Sequence, residues 1–282
     1  MDLFSQLQRR ANRLIQSQPW VLFATPVLFA GGAFGLHWWL AEFLQAPFGT
    51  AAARDLGEGI GTFLTVIGII YALILGFTFQ QAFSRQIDLR SALRAEASSL
   101  WNLLLLGRAM GGAAQRGEID RRVRAYVGYV LGAEFPPDER EPVEAAPMLF
   151  EILGVLHGLS ADGVGDEVDR VTLAAIHDEL RAATRARSDR LAISTRAIPR
   201  IHWFQIELLS TLVMIGFLLL DLQAPPLEAL LLGLTASAIT VLYMSLFDLD
   251  YPFAGLWRVE PKPLEALVRE LDEPAALDAA TQ

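Results

Sequence analysis

Eight side chains of one apolar segment recur at helical spacing: Glu58, Thr62, Val66, Ile69, Leu73, Phe77, Gln80 and Ser84. Residues three and four apart share a helix face, so these form one stripe, polar at both ends and apolar for three turns between. The chemistry such a face could carry is the passage of small ions rather than the making of bonds. If copies of the helix surrounded a common axis, Glu58 and Thr62 would form a wet outer mouth. Ile69, Leu73 and Phe77 would form a greasy neck, and Gln80 and Ser84 a polar inner exit. A neck of that kind gates by losing its water. The same stripe would serve equally as a packing surface against another helix or lipid, with Gln80 and Gln81 marking the headgroup level.

Bond-making chemistry has little to work with. His157 and His177 stand twenty residues apart, and the chain has no HExxH, no GxSxG and no phosphate-cradling loop after a strand. Cysteine is absent, which excludes disulfides and thiolate metal sites. No catalytic residue, metal site or cofactor is expected. The glycine-rich stretches GGAFG (31–35) and GEGIG (57–61) lie in or beside apolar blocks, where small residues usually serve helix packing. Glu207 is an ionisable residue inside an apolar block and so a functional candidate. It also lies one turn beyond Trp203, an expected interfacial anchor, and could snorkel to the headgroups. His37, beside Trp38 and Trp39, reads as interfacial.

The elements that would hold the stripe are membrane spans. Hydrophobic residues make up 53% of the 282, and they come in blocks too long for a soluble core. Blocks at 20–40, 60–80, 203–220 and 229–247 are each near twenty residues. At about 1.5 Å per residue, twenty residues reach the roughly 30 Å of a bilayer's hydrocarbon core. The first block is too long for a removable signal segment and lacks a cleavage pattern, so four spans are expected. Arg9, Arg10 and Arg13 precede span 1, sixteen arginines run from Arg85 to Arg200, and Arg258, Lys262 and Arg269 follow span 4. The connections at 41–59 and 221–228 hold only Arg54. That asymmetry puts both termini and the region between spans 2 and 3 in the cytoplasm. Glu42, Asp55, Glu58, Asp221 and Glu228 make the outer connections acidic, which favours cations nearby. A net charge of −9 without a basic patch excludes nucleic acid as a partner.

The chain divides into an N-terminal segment (1–19), the four spans, a polar region (83–200) between spans 2 and 3, and a C-terminal tail (248–282). The polar region lacks strand-like alternation and reads as helices. One runs on from span 2 to Gly111-Gly112. Others cover about 118–134, where Val123, Tyr126, Val127 and Val130 recur, about 144–159, and about 166–197 with Asp166 as N-cap. The tail carries a short amphipathic helix, PLEALVRELDE, and then an Ala-rich end expected to be disordered. The fold class is all-α.

Three stretches carry a resemblance. GIIYALILGFTFQQAFSRQIDLRSALRAEASSLWNLL (68–104), ATRARSDRLAIS (183–194) and LFDLDYPFAGLWRVEPKPLEAL (246–267) resemble the bestrophin-like membrane proteins of bacteria and plants, a family distantly similar to bestrophin ion channels. The likeness covers about residues 55–270. It implies a four-span protein of the plasma membrane, the inner membrane in a bacterium, assembled as a homo-oligomer, with five copies as in bestrophins. The bestrophin neck places bulky residues at i, i+4 and i+8 and ends in Leu-Gly-Phe, here Leu75, Gly76 and Phe77. That assigns the neck to Ile69, Leu73 and Phe77, already in the middle of the stripe. Asp250, Pro252, Phe253 and Gly255 match the family motif after the last span. The acidic cluster that clasps calcium in animal bestrophins is absent, so calcium gating is not implied. Glu96 resembles a recurrent family acid, and an ion pair with Arg187 and Arg190 is expected. The function implied is a passive channel for small inorganic ions; the alternative is a non-conducting scaffold or sensor whose cytoplasmic helices bind a partner.

Overall fold

The computed structural model describes residues 50–109, 113–135, 148–154, 167–219, 224–253 and 255–272, with scattered positions between 24 and 39; at 50–58, 113–116, 167–169 and 225 it describes the backbone alone. Every regular element among these residues is a helix: α1 (Thr50–Ala109), α2 (Ala113–Ala133), α3 (Glu167–Ser194), α4 (Arg200–Leu218), α5 (Pro225–Asp250) and α6 (Lys262–Asp272), with a further short helix at 148–154. They form two compact units. One holds the chain up to Ser84 together with Ala197–Arg258; the other holds Arg85–Arg196 and Val259–Gln282.

Three helical stretches among the described residues are long and apolar enough to cross a membrane: Gly59–Ala109, whose part up to Ser84 is in the first unit, and Arg200–Leu218 and Pro226–Asp250, both in that unit. Span 1 as expected at 20–40 lies mostly outside the described residues; its described positions are helical. The expected N-terminal segment, the Ala-rich end, His37, His157 and Asp166 also lie outside them. α1 has 60 residues. At about 1.5 Å each it is about 90 Å long, three times the hydrocarbon core, so only part of it fits that core, and the uncharged 60–80 portion is the part apolar enough to do so.

Two boundaries differ from expectation for local reasons. The outer connection at 41–59 was expected to be a loop, yet α1 begins at Thr50, and Glu58 stands on a helix. The Ala51–Ala53 run has the highest helix propensity available and extends the span outward. Glu228, expected in the second outer loop, is in the first turn of α5 and buried. Pro225 and Pro226 start that helix, where their missing N–H groups lose nothing, and an acid there opposes the helix's positive end.

Inside a bilayer, burying apolar surface gains little, so close contact and polar pairs must hold the spans together. Tyr71, Leu75 and Ala82 of α1 pack with Trp203, Ile206 and Leu209 of α4 and with Leu246 and Leu249 of α5. A Cβ on Gly216 would stand 2.4 Å from Leu64 Cδ2, so a larger residue there would have to displace the Leu64 side chain that glycine lets sit against α4. The Ser210 hydroxyl lies 3.2 Å from the Tyr71 hydroxyl in the same layer. Trp203 is not the interfacial anchor the sequence suggests: it is buried, its ring centroid 5.4 Å from Tyr243 and 5.9 Å from Phe247. The glycines expected to pack behave differently. Gly31, Gly32, Gly35, Gly59 and Gly61 have open space where a Cβ would go.

The second unit is built as a water-soluble bundle. α1 continues with Leu89, Leu93, Leu100, Leu103 and Leu104 buried, α2 buries Ile119, Val123, Tyr126, Val127 and Val130, and α3 buries Leu173, Ile176, Leu180 and Ala183. Each such side chain contributes about 1.5–3 kcal/mol in water. α2 starts at Ala113 rather than 118, and α3 ends at Ser194 rather than 197. α6 turns Leu264, Leu267 and Leu271 inward against α2, and Arg124 donates to Asp272 and to the Leu271 carbonyl.

Candidate functional site

The α1 stripe faces away from everything its own unit packs. Tyr71, Leu75 and Thr78 on one side are 8%, 6% and 1% exposed, whereas Ile69, Leu73 and Phe77 on the other are 58%, 54% and 72% exposed. The packed side is set by the core described above and by Thr78, whose hydroxyl donates to the Ile74 carbonyl at 2.7 Å. Thr62 and Val66 are exposed above the neck positions. Below them, Gln80 is exposed and its Nε2 lies 3.5 Å from the half-buried Ser84 hydroxyl. Ile67 and Ile74, between the two sides, are half-buried against the core. Glu58 is fixed only by its helical backbone position. The stripe is therefore not a surface for packing against the described helices of the same chain. Among the described residues nothing covers its neck positions.

The second unit brings the expected acid and arginines together, with two additional members. Arg190 Nε donates to Glu96 Oε2 at 2.6 Å, and Arg190 Nη2 donates to Glu134 Oε2 at 2.6 Å. Arg187 donates to Glu134, Nη2 to Oε1 at 2.8 Å. Tyr126 Oη donates to Glu96 Oε1. All four charged side chains are at most 8% exposed. Two carboxylates against two guanidiniums leave the cluster neutral, and Arg190 lies 5.3 Å from the Phe135 ring centre. Burial, then the Glu96 charge and hydrogen bond, push the Tyr126 phenol well above its ordinary value. Burial alone would lower Arg190, but Glu96 and Glu134 more than offset it and raise it. Both stay protonated across any physiological pH. Glu134 was missing from the sequence reading although a signal existed: it falls four residues after Val130, on the face drawn by Val123, Tyr126, Val127 and Val130.

The motif after α5 is a backbone clamp. Asp248 accepts from the Leu256 and Trp257 N–H groups, both at 3.0 Å, and Asp250 accepts from the Ile198 N–H at 2.8 Å. Gly255 has φ +85°, and a Cβ there would stand 1.6 Å from Asp248 Oδ1, so glycine is required twice over. Pro252 is buried and Phe253 half-buried. Asp248 belongs to this clamp as much as the four motif residues do. Among the described residues no group of three or more His, Cys, Asp or Glu could hold a metal.

The bestrophin-like domain matches residues 27–264. The chain belongs to the bestrophin-like family. No curated protein matches it. Solved structures similar to it include a membrane protein variant (TM-score 0.67, 14% identity, 93% of this chain and 98% of that one). Two point variants of a bacterial Bestrophin homolog from Klebsiella pneumoniae are also similar. One has TM-score 0.64 at 15% identity, covering 93% of this chain and 98% of its own. The other has TM-score 0.63 at 15% identity, covering 89% and 97%. At these identities the likeness is one of fold. The bestrophin-like fold here thus combines a multi-span unit, in which one face of α1 is left free, with a helical block closed by a neutral buried cluster.

Proposed function

We propose that the chain is a passive ion channel: a homo-oligomer, five copies by the family resemblance, whose α1 stripes surround a common axis. Each copy has four spans, the first at 20–40, with both termini and the helical block in the cytoplasm, and in a bacterium it resides in the inner membrane. Ile69, Leu73 and Phe77 form the neck, Glu58 and Thr62 the outer mouth, and Gln80 and Ser84 the inner exit. The observation that carries this reading is the exposure of those three bulky residues on the side of α1 opposite its own packing. Family membership and a fold shared with a bacterial Bestrophin homolog support it. The acidic groups near the outer end favour cations, while the amide and hydroxyl of Gln80 and Ser84 suit either sign.

A shared axis is testable because the chain has no cysteine. Phe77→Cys should form disulfide-linked pairs of copies in the membrane under mild oxidation, and Phe63→Cys, about 40° further round from the neck and facing outward, should form few. A Phe77→Cys protein that stays uncrosslinked and runs as a monomer in detergent would leave the stripe facing lipid, and the scaffold alternative would then stand.

A further inference from the structure

A groove of about 650 Å³ opens between α4 and α5, closed on one side by Ala33. Its walls are apolar for most of their length, with Met214, Ile215 and Leu218 facing Leu232, Ala236 and Ile239. One end carries Glu207, Ser210, Thr211, Thr240 and Tyr243. We propose that this groove binds a phospholipid with an ammonium headgroup, the ammonium on Glu207 and one acyl chain along α4 and α5.

The polar end is built to receive a cationic donor. The Ser210 hydroxyl donates to the Ile206 carbonyl, Thr211 to Glu207's own backbone carbonyl and Thr240 to the Ala236 carbonyl, at 2.7, 2.8 and 2.7 Å. Their protons are spent on their own helices, so what the two threonines offer a ligand is lone pairs, while the Tyr243 hydroxyl keeps a donor at this end. Glu207 adds a carboxylate with no cation paired to it, and no Lys, Arg or His lining the groove, among the described residues. An anionic headgroup finds repulsion from Glu207 there. An ammonium, with three N–H donors and one charge, matches both the lone pairs and the carboxylate. An unpaired carboxylate at the membrane boundary is itself unfavourable, so its neutralisation adds to the drive.

Dimensions agree. Side chains lean toward the helix N-terminus, so the Glu207 carboxylate sits nearer the Arg200 end of α4 than its Cα does. From Glu207 to Leu218, the last residue of α4, the helix rises about 16 Å, about half the hydrocarbon core. A headgroup at the carboxylate leaves a tail running along the apolar walls toward Leu218.

The test is thermal unfolding of delipidated protein in detergent, titrated with phosphatidylethanolamine or with phosphatidylglycerol carrying the same chains. Phosphatidylethanolamine should raise the midpoint at concentrations about tenfold below those at which phosphatidylglycerol does. Glu207→Gln should erase that difference, and Thr211→Phe, which fills the groove from an exposed position, should erase it while keeping the carboxylate. Equal responses to the two lipids in the parent, or an undiminished preference in Glu207→Gln, would overturn the proposal. So would efficient cross-linking of Thr211→Cys between copies in liposomes, which would give the groove to a second copy. None of these outcomes depends on whether the protein conducts ions.

Discussion

Glu96 and Arg190 illustrate how a charge survives complete burial. Each carboxylate of the cluster meets a guanidinium, and Glu96 also accepts from Tyr126, so no charge is left without a donor or acceptor. Removing one partner from such a pair costs about 3–5 kcal/mol, far more than the 0–1 kcal/mol of an exposed pair. We expect Glu96→Gln to lower the stability of the helical block by about 3 kcal/mol in the parent and by much less in an Arg190→Met background, measured by chemical unfolding as a double-mutant cycle. Additive effects would mean the contact carries no coupling. The acid and both arginines were legible in the sequence through their position beside the spans. Glu134 was not, because a charged residue ending an apolar helix face looks like its solvated end until the partner helix is in place. Trp203 misled for the same reason: an aromatic near a span end suits the interface and a core equally, and only Tyr243 and Phe247 decide.

Among the elements, α1 carries most of the organisation, and its continuity past Arg85 was legible because no proline or glycine pair interrupts it before Gly111. Its start was not legible. Ala51–Ala53 reads as loop by its distance from the apolar block, and as helix only by propensity. The contact that fixes α1 against α4 rests on Gly216, a residue no sequence feature distinguished from other span glycines. Gly216→Leu should push Leu64 out of its place and separate α4 from α1, seen as a fall of several degrees in the thermal midpoint in detergent. Gly61→Leu, at an open position, should leave the midpoint within about a degree, as substitutions away from packed features usually do. A similar loss in both would show that the Leu64 contact does not hold the spans.

For the whole molecule, topology and assembly are what turn a helix face into a path. The arginine asymmetry places Ala52 outside and Lys262 inside. Single cysteines at those positions should react with a membrane-impermeant maleimide from the outer and inner face respectively, and the reverse pattern would invert the channel's mouth and exit. Fold class and family were legible from long apolar blocks and a few motif residues. The free face of α1 needed the structure, since periodicity draws a stripe without saying which side the neighbouring spans occupy. That distinction also chooses the control for conduction: Ile67 and Ile74 pack against the core, so Phe63, exposed and about 40° beyond Phe77, is the proper comparison.

The most direct measurement is ion flux through the reconstituted protein in liposomes. Ile69→Ala, Leu73→Ala and Phe77→Ala together should widen and wet the neck, and a barrier lowered by about 1.4 kcal/mol passes ions about tenfold faster. Phe63→Ala should leave flux near that of the parent. If parent and triple variant, both folded and oligomeric, pass no small ion faster than protein-free liposomes do, the stripe is not a pore and the channel reading is wrong.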